Sequence, residues 1–185
     1  MEFQDIAKNL TQGENMGGIA QTVYFGLHDD VETFPTKPTD AATLEELGAL
    51  TGSIAMKAGK RMFALYITDD TGELENEIVG EKDGISFVQH LRFFHPGLKA
   101  KILGFMNAVK NANLVFIVPD NNGQYFLLGD AVRPATLEGP DENNGTSKET
   151  AGRRGVSLHF TYKTSNIYEY VGDIPLTEAA SGSVV

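Results

Sequence analysis

Residues 156–163 read VSLHFTYK, with Val156, Leu158, Phe160 and Tyr162 alternating with Ser157, His159, Thr161 and Lys163. Successive side chains on a strand point to opposite faces, so this period of two specifies a strand buried on one side. A strand with one large apolar face needs a second layer to cover it, which commits the chain to a layered β architecture. The segment in front of this strand has the opposite character. From Gly139 to Gly155, seventeen residues hold four glycines and one apolar side chain, Ala151, and Arg153 and Arg154 stand at the junction with the strand. Such a stretch cannot form a core of its own. Residues 139–155 are therefore expected to be a polar loop that orders on docking.

Strand signals recur along the chain. GIAQTVYFGL (18–27) has strand composition, and SIAMKAGKRMFALYIT (53–68) reads as two strands around a turn at KAGK. In residues 72–94, Leu74, Asn76 and Ile78 alternate with Glu73, Glu75 and Glu77. The pair Asp83-Gly84 then marks a tight turn, and Ile85, Phe87, Leu91 and Phe93 share one face of the return strand. LVFIVP (114–119) is apolar throughout and reads as a strand buried on both faces; NNGQ turns it into YFLLGDAVRP, and IYEYVGDIP closes the fold.

Helical spacing of Leu98, Ile102, Phe105, Met106 and Val109 after Pro96 predicts the one main helix. Leu98, Ile102, Met106 and Val109 are expected to pack on Phe87, Leu91, Val115 and Ile117. Pro35 and Pro38 set an extended connector, and Thr39 or Asp40 is placed to cap a short helix running to Leu50. Eight or nine strands with one main helix predict a mainly β fold, an antiparallel β-sandwich or barrel with one packed α-helix. Its expected organisation is an N-terminal arm (1–17), a single β-rich domain (18–175) and a flexible C-terminal tail (176–185).

A chain of 185 residues with 41% hydrophobic residues has the means to bury one core. No run approaches the length of a membrane span, and MEFQDIAKNL lacks the basic and apolar regions of a secretory leader. There is no cysteine, hence neither a disulfide framework nor a thiolate metal site. A net charge of -10 argues against non-specific binding of nucleic acid over the whole surface.

Catalytic patterns are absent from the sequence. His28, His90, His95 and His159 show no metal-ligand spacing, and His90 and His159, on the polar registers of their strands, read as surface or packing residues. His28 beside Asp29 and Asp30 has the donors for a metal or small ligand, although a solvated turn accounts for them as well. PDNNGQ and PDENNGTS lack the alternating oxygen ligands and distal Glu of a calcium loop and read as turns. No phosphate-binding loop, nucleophile elbow or dinucleotide fingerprint is present. The expectation is a protein that is not an enzyme, with no catalytic, cofactor-binding or metal residues. The informative charges are Lys57, Lys60 and Arg61 in one turn, Arg153 and Arg154 at the loop's end, and the acidic row Glu73, Glu75 and Glu77. They are expected at subunit interfaces, where a basic patch of one copy meets the acidic face of an identical neighbour and fixes register.

The order of KAGKRMFALYIT, the acidic strand leading to VGEKDGISFVQHLRFFHPG, a single helix, LVFIVPDNNGQYFLLGD, ENNGTSKETAGRRG, VSLHFTYKT and IYEYVGDI resembles bacteriophage virion proteins. It is most similar in layout to tail-tube proteins of phages infecting Bacteroidota, over about residues 18–175. The resemblance implies a β-sandwich with one flanking helix, made in the host cytoplasm and residing in the virion. It implies stacked rings around a channel through which DNA passes without sequence-specific binding. The implied partners are copies of the chain and other virion proteins, with no membrane. A ring subunit shares a strand edge with its neighbour and reaches the adjacent ring with a loop, which gives residues 139–155 a use. The alternatives are a capsid decoration protein, a head–tail ring or adaptor protein, and, from another class, a small-ligand or carbohydrate-binding β-sandwich acting through His28, Asp29 and Asp30. A hydrolase ranks last, because no nucleophile–base set is visible.

Overall fold

A computed structural model describes residues 3–6, 16–139, 145–146 and 152–179. The apolar run Leu114–Pro119 forms strand β8, and every one of its residues is buried. It lies inside a six-stranded sheet ordered β3 (Ala49–Leu50), β12 (Glu169–Tyr170), β9 (Tyr125–Leu128), β8, β1 (Thr22–Leu27) and β5 (Phe63–Tyr66). Leu114, Phe116 and Val118 enter one apolar cluster, whereas Val115 and Ile117 enter a second on the opposite face. A strand carries no polar register when both of its faces are covered, and that is the case here.

The first face is covered by a four-stranded sheet ordered β10 (Thr136–Glu138), β11 (Gly155–Thr164), β7 (Ser86–Pro96) and β6 (Glu73–Val79). Helix α2 (Ala100–Val109) adds Ile102 and Val109 to this cluster, beside Leu91, Phe93, Val156, Leu158, Phe160 and Tyr162. The second face is covered by residues 31–62, including the short pair β2 (Val31–Thr33) and β4 (Ala55–Met56), which bring in Val31, Leu50, Ile54, Met56 and Met62. Tyr170 joins them, and its hydroxyl accepts the Ile54 N–H at 3.0 Å and donates to the Asp173 carbonyl at 2.6 Å.

The expected core is corrected in two respects. Val115 and Ile117 do not lie beneath α2; strand parity puts them on the far face, and Phe116 and Val118 take the helix side. Leu98 and Met106 are half-buried against the first cluster, and Phe87, also half-buried, belongs to neither. Among the described residues, the fold is dominated by antiparallel sheet with two α-helices, and no sheet closes into a barrel. The second helix, α1 (Leu44–Gly48), is capped by Thr43, whose side chain accepts the Glu46 N–H at 3.1 Å, rather than by Thr39 or Asp40. Among the described residues the strands number twelve rather than eight or nine, because β2, β3, β4, β10 and β12 are only two or three residues long, too short to show a period.

Two hairpins follow their turn residues and one expected hairpin does not form. β6 and β7 pair from Glu73↔Arg92 to Val79↔Ser86, around a turn in which Asp83 takes φ 73° and the Gly84 N–H reaches the Glu81 carbonyl at 2.9 Å. Gly80 is required there: its φ is 97°, and a Cβ would lie 2.4 Å from the Gly84 carbonyl oxygen. β8 and β9 join through Asp120, whose carboxylate accepts the Asn122 and Gln124 N–H groups. By contrast, the strands on either side of KAGK part company. β4 pairs with β2 and β5 pairs with β1. The turn does form, with Lys60 N–H on the Lys57 carbonyl, yet it carries the chain from one layer to another.

The layers are pinned by a polar knot at Asp130. Its carboxylate accepts from Lys37 Nζ at 2.5 Å, Val132 and Arg133 N–H at 2.9 and 2.8 Å, and the Tyr162 hydroxyl at 3.0 Å. Its backbone carbonyl bonds His28 Nε2 at 2.7 Å. Burial, the largest single influence, pushes this carboxyl upward, but the four donors together outweigh it and hold its pKa at about 2. Burial raises the Tyr162 phenol.

Candidate functional site: a charged outer face with two sheet edges

The four-stranded sheet buries one face and turns the other away from the core. Antiparallel pairing sets the outward rows: Glu77 with Val88 and Lys163, Glu75 with His90, Thr161 and Thr136, and Glu73 with Arg92, His159 and Glu138. Directly opposed residues lie on the same face, so the acidic register of β6 meets the basic register of β7. Arg92 donates to Glu73 at 3.1 Å and to Glu75 at 2.6 Å. The Arg92 hydrogen bond holds the Glu75 carboxyl below its ordinary value. His90 bonds Glu77 through Nε2 at 3.0 Å and His159 through Nδ1 at 2.9 Å. Thr161 donates to Glu138 at 3.2 Å. Although it faces outward, His159 is buried, at 6% exposure.

A groove of about 550 Å³ runs along this face, lined among others by Asp70, Glu73, Arg92, Arg153, Ser157 and His159. It brings two of the expected interface residues together, Glu73 and Arg153, and the Arg153 guanidinium lies 5.9 Å from the Phe94 ring centre. Arg154 is exposed, and its carbonyl accepts the Gly97 N–H at 2.8 Å. Gly155 is the joint between loop and strand. A Cβ there would meet the His95 carbonyl oxygen at 2.3 Å. It also exchanges two 3.2 Å backbone bonds with Gly145. Residues 140–144 and 147–151 of the polar loop lie outside the described residues, as do 1–2 and 7–15 of the expected arm and 180–185 of the expected tail. Of the arm, Phe3 and Ile6 are exposed, and Gln4 accepts the Leu44 N–H at 3.3 Å. Of the tail, Ala179 exchanges backbone bonds with Gly59 and Lys60.

The basic turn sits elsewhere, against the acidic end of the His28–Asp30 3-10 turn. Lys57 Nζ donates to the Asp29 carbonyl at 2.7 Å, and Lys60 pairs with Asp30 at 3.0 Å. Arg61 stacks 4.3 Å from the Phe63 ring centre. His28 Nδ1 lies 3.9 Å from Asp29 Oδ1, whereas His28 Nε2 is held by the Asp130 carbonyl and Asp30 is held by Lys60. Among the described residues, no group of three or more His, Asp or Glu side chains is placed to hold a metal ion, and no helix is long and apolar enough to cross a membrane.

Both edges of the four-stranded sheet carry carboxylates, with Glu138 on β10, and they differ in the cations beside them. β6 presents Glu73, Glu75 and Glu77, together with Ile78, which is 67% exposed. At the β10 side a notch of about 250 Å³ is lined by Arg133, Pro134, Thr136, Thr161 and Lys163. Arg133 and Lys163 are exposed, and neither belongs to an ion pair among the described residues. Compared with protein-family models, curated proteins and solved structures, the chain matches none of them.

Sequence reasoning missed the His90–His159 contact and the Asp130 knot. Both histidines stand on the outward registers of their strands, and the β7–β11 register that makes them neighbours is not written in either strand alone. Arg133 and Lys163 were missed because they are separated by the loop and become one notch only through β10–β11 pairing.

Proposed function

We propose that this chain is a self-assembling structural subunit of a phage virion, a tail-tube protein that forms rings through the edges of its four-stranded sheet. The observation that carries the reading is the pairing sense of those edges. β10, β11, β7 and β6 are each antiparallel to the next. β6 and β10 therefore run in opposite directions, and β6 of one copy meets β10 of the next in the same antiparallel sense that holds the sheet together. Such a contact joins two different patches and repeats head to tail, the arrangement that closes into rings.

Charge supports the same contact at one end of the edge, since Glu75 and Glu77 mark one edge and Arg133 and Lys163 lie beyond the Thr136 end of the other, away from its Glu138. An exposed edge is a template for pairing, and ring closure removes it. In the ring the inner face of this sheet remains covered by the six-stranded sheet, and the polar face lines the channel. Its carboxylates, Glu73, Glu75, Glu77 and Glu138, keep passing DNA from adhering. Arg153 and Arg154, at the end of the polar loop, reach a carboxylate of the adjacent ring.

The absence of cysteine makes a direct test simple. With Glu75→Cys and Thr136→Cys in one chain, the two sites share one row at opposite sheet edges, about 14 Å apart for three strand spacings. A bismaleimide shorter than that span is expected to give a ladder of linked copies. A single monomer band at assembling concentrations refutes the edge-to-edge contact.

A further inference from the structure

We propose that His90 and His159 form a proton-operated latch between β7 and β11, with Glu77 of edge strand β6 bonded to it. The inference rests on side-chain geometry within one chain and stands apart from the ring reading. Glu77 Oε2 accepts from His90 Nε2 at 3.0 Å, which places a proton on that nitrogen. The other nitrogen, Nδ1, lies 2.9 Å from Nε2 of His159. A hydrogen bond between two ring nitrogens holds one proton and one lone pair. Either His159 donates to a neutral His90, or a cationic His90 donates to His159. In both states the chain Glu77–His90–His159 is continuous across three strands.

A second proton breaks it. Two imidazolium rings set N–H against N–H at the same 2.9 Å, and two like charges then stand inside a face where His159 is buried. The charged groups around the pair act in opposite directions. Glu73, Glu75 and Glu77 on β6, Glu138 on β10 and Asp70 of the groove favour protonation. Arg92 on β7, Lys163 on β11 and Arg153 of the groove oppose it. Arg92 also occupies Glu73 and Glu75, so Glu77 is the carboxylate bonded to the pair. The pair accommodates one proton with its hydrogen bonds intact, and the second opens it. Opening parts β7 from β11 at this row, while Glu77 keeps its bond to the charged His90.

The test follows the imidazole nitrogens of the full chain by NMR from pH 8 to pH 4.5, with amide hydrogen exchange on the same samples. The expected result is that His90 and His159 titrate as a coupled pair in two steps more than about one pH unit apart. Amides of β7 and β11 around the pair should lose protection only below the second step, by about tenfold for each pH unit by which closure depresses that step, once intrinsic exchange is corrected. In His90→Gln the surviving ring should titrate in one step, and the acid-dependent loss of protection should vanish. Independent single-step titrations in the wild-type chain overturn the latch, as does an unchanged loss of protection in His90→Gln. Should His90→Gln fail to fold, Glu77→Gln serves instead: it should narrow the separation of the steps, and an unchanged separation overturns the proposal.

Discussion

Replacing Asp130 by Asn tests the knot that joins the layers. The Asp130 side chain is 18% exposed and Lys37 is 42% exposed. The carboxyl lies at about 2 against an ordinary value of 3.8. That gap, 3.8 minus 2, corresponds to about 2.4 kcal/mol of preferential stabilisation of the ionised form. Lys37 is solvated enough to screen part of it, so about 1–2 kcal/mol is the reasonable share. Asn keeps an oxygen for the Val132 and Arg133 N–H groups, but it sets an NH₂ where Lys37 Nζ and the Tyr162 hydroxyl now donate. One poorly satisfied donor adds about 1 kcal/mol. The expected loss is about 2–3 kcal/mol, read as a lower urea midpoint at unchanged slope.

The pH dependence carries a sign. A carboxyl with a depressed pKa stabilises the fold above its unfolded value, and this contribution is lost as pH falls toward the folded value. The wild-type chain should therefore lose this share between about pH 4 and pH 2, and the difference between wild type and Asp130→Asn should shrink over that window. A loss below about 0.5 kcal/mol at pH 7, with parallel acid profiles for the two proteins, refutes the reasoning.

Ile102 is 5% exposed beneath α2, so Ile102→Ala should cost about 2–5 kcal/mol by urea unfolding. Gly155→Ala forces a methyl group against the His95 carbonyl and the Phe94 ring and should lower stability by about 1–3 kcal/mol, with the largest loss of amide protection at the start of β11. Changing Arg153 and Arg154 together to Glu should leave unfolding within about 0.5 kcal/mol of wild type, because both residues are exposed, while slowing or abolishing polymer growth at low and physiological salt.

What the sequence disclosed follows from where periodicity is strong. Val156 to Lys163 alternate over the full strand, and β11 forms with Val156, Leu158, Phe160 and Tyr162 in the core. The unbroken apolar run at 114–119 signals two covered faces, and both are covered. Short strands defeat the same reasoning: Ala55 and Met56 resemble one arm of a hairpin, but two residues cannot state a partner, and the layer beneath the six-stranded sheet claims them. The register error at Val115 and Ile117 has a similar origin, since an all-apolar strand hides which parity faces the helix. Pairwise chemistry was the least visible. Lys37, Asp130 and Tyr162 lie far apart in the chain and meet only once β9, β10 and β11 are placed. His90 and His159 meet only through the β7–β11 register.

Assembly through the edges of the four-stranded sheet is the central claim, and negative-stain electron microscopy of the purified chain over a concentration series tests it most directly. The account predicts closed rings, or tubes of stacked rings, growing in number with concentration. A field of uniform single subunits at the highest soluble concentration contradicts it.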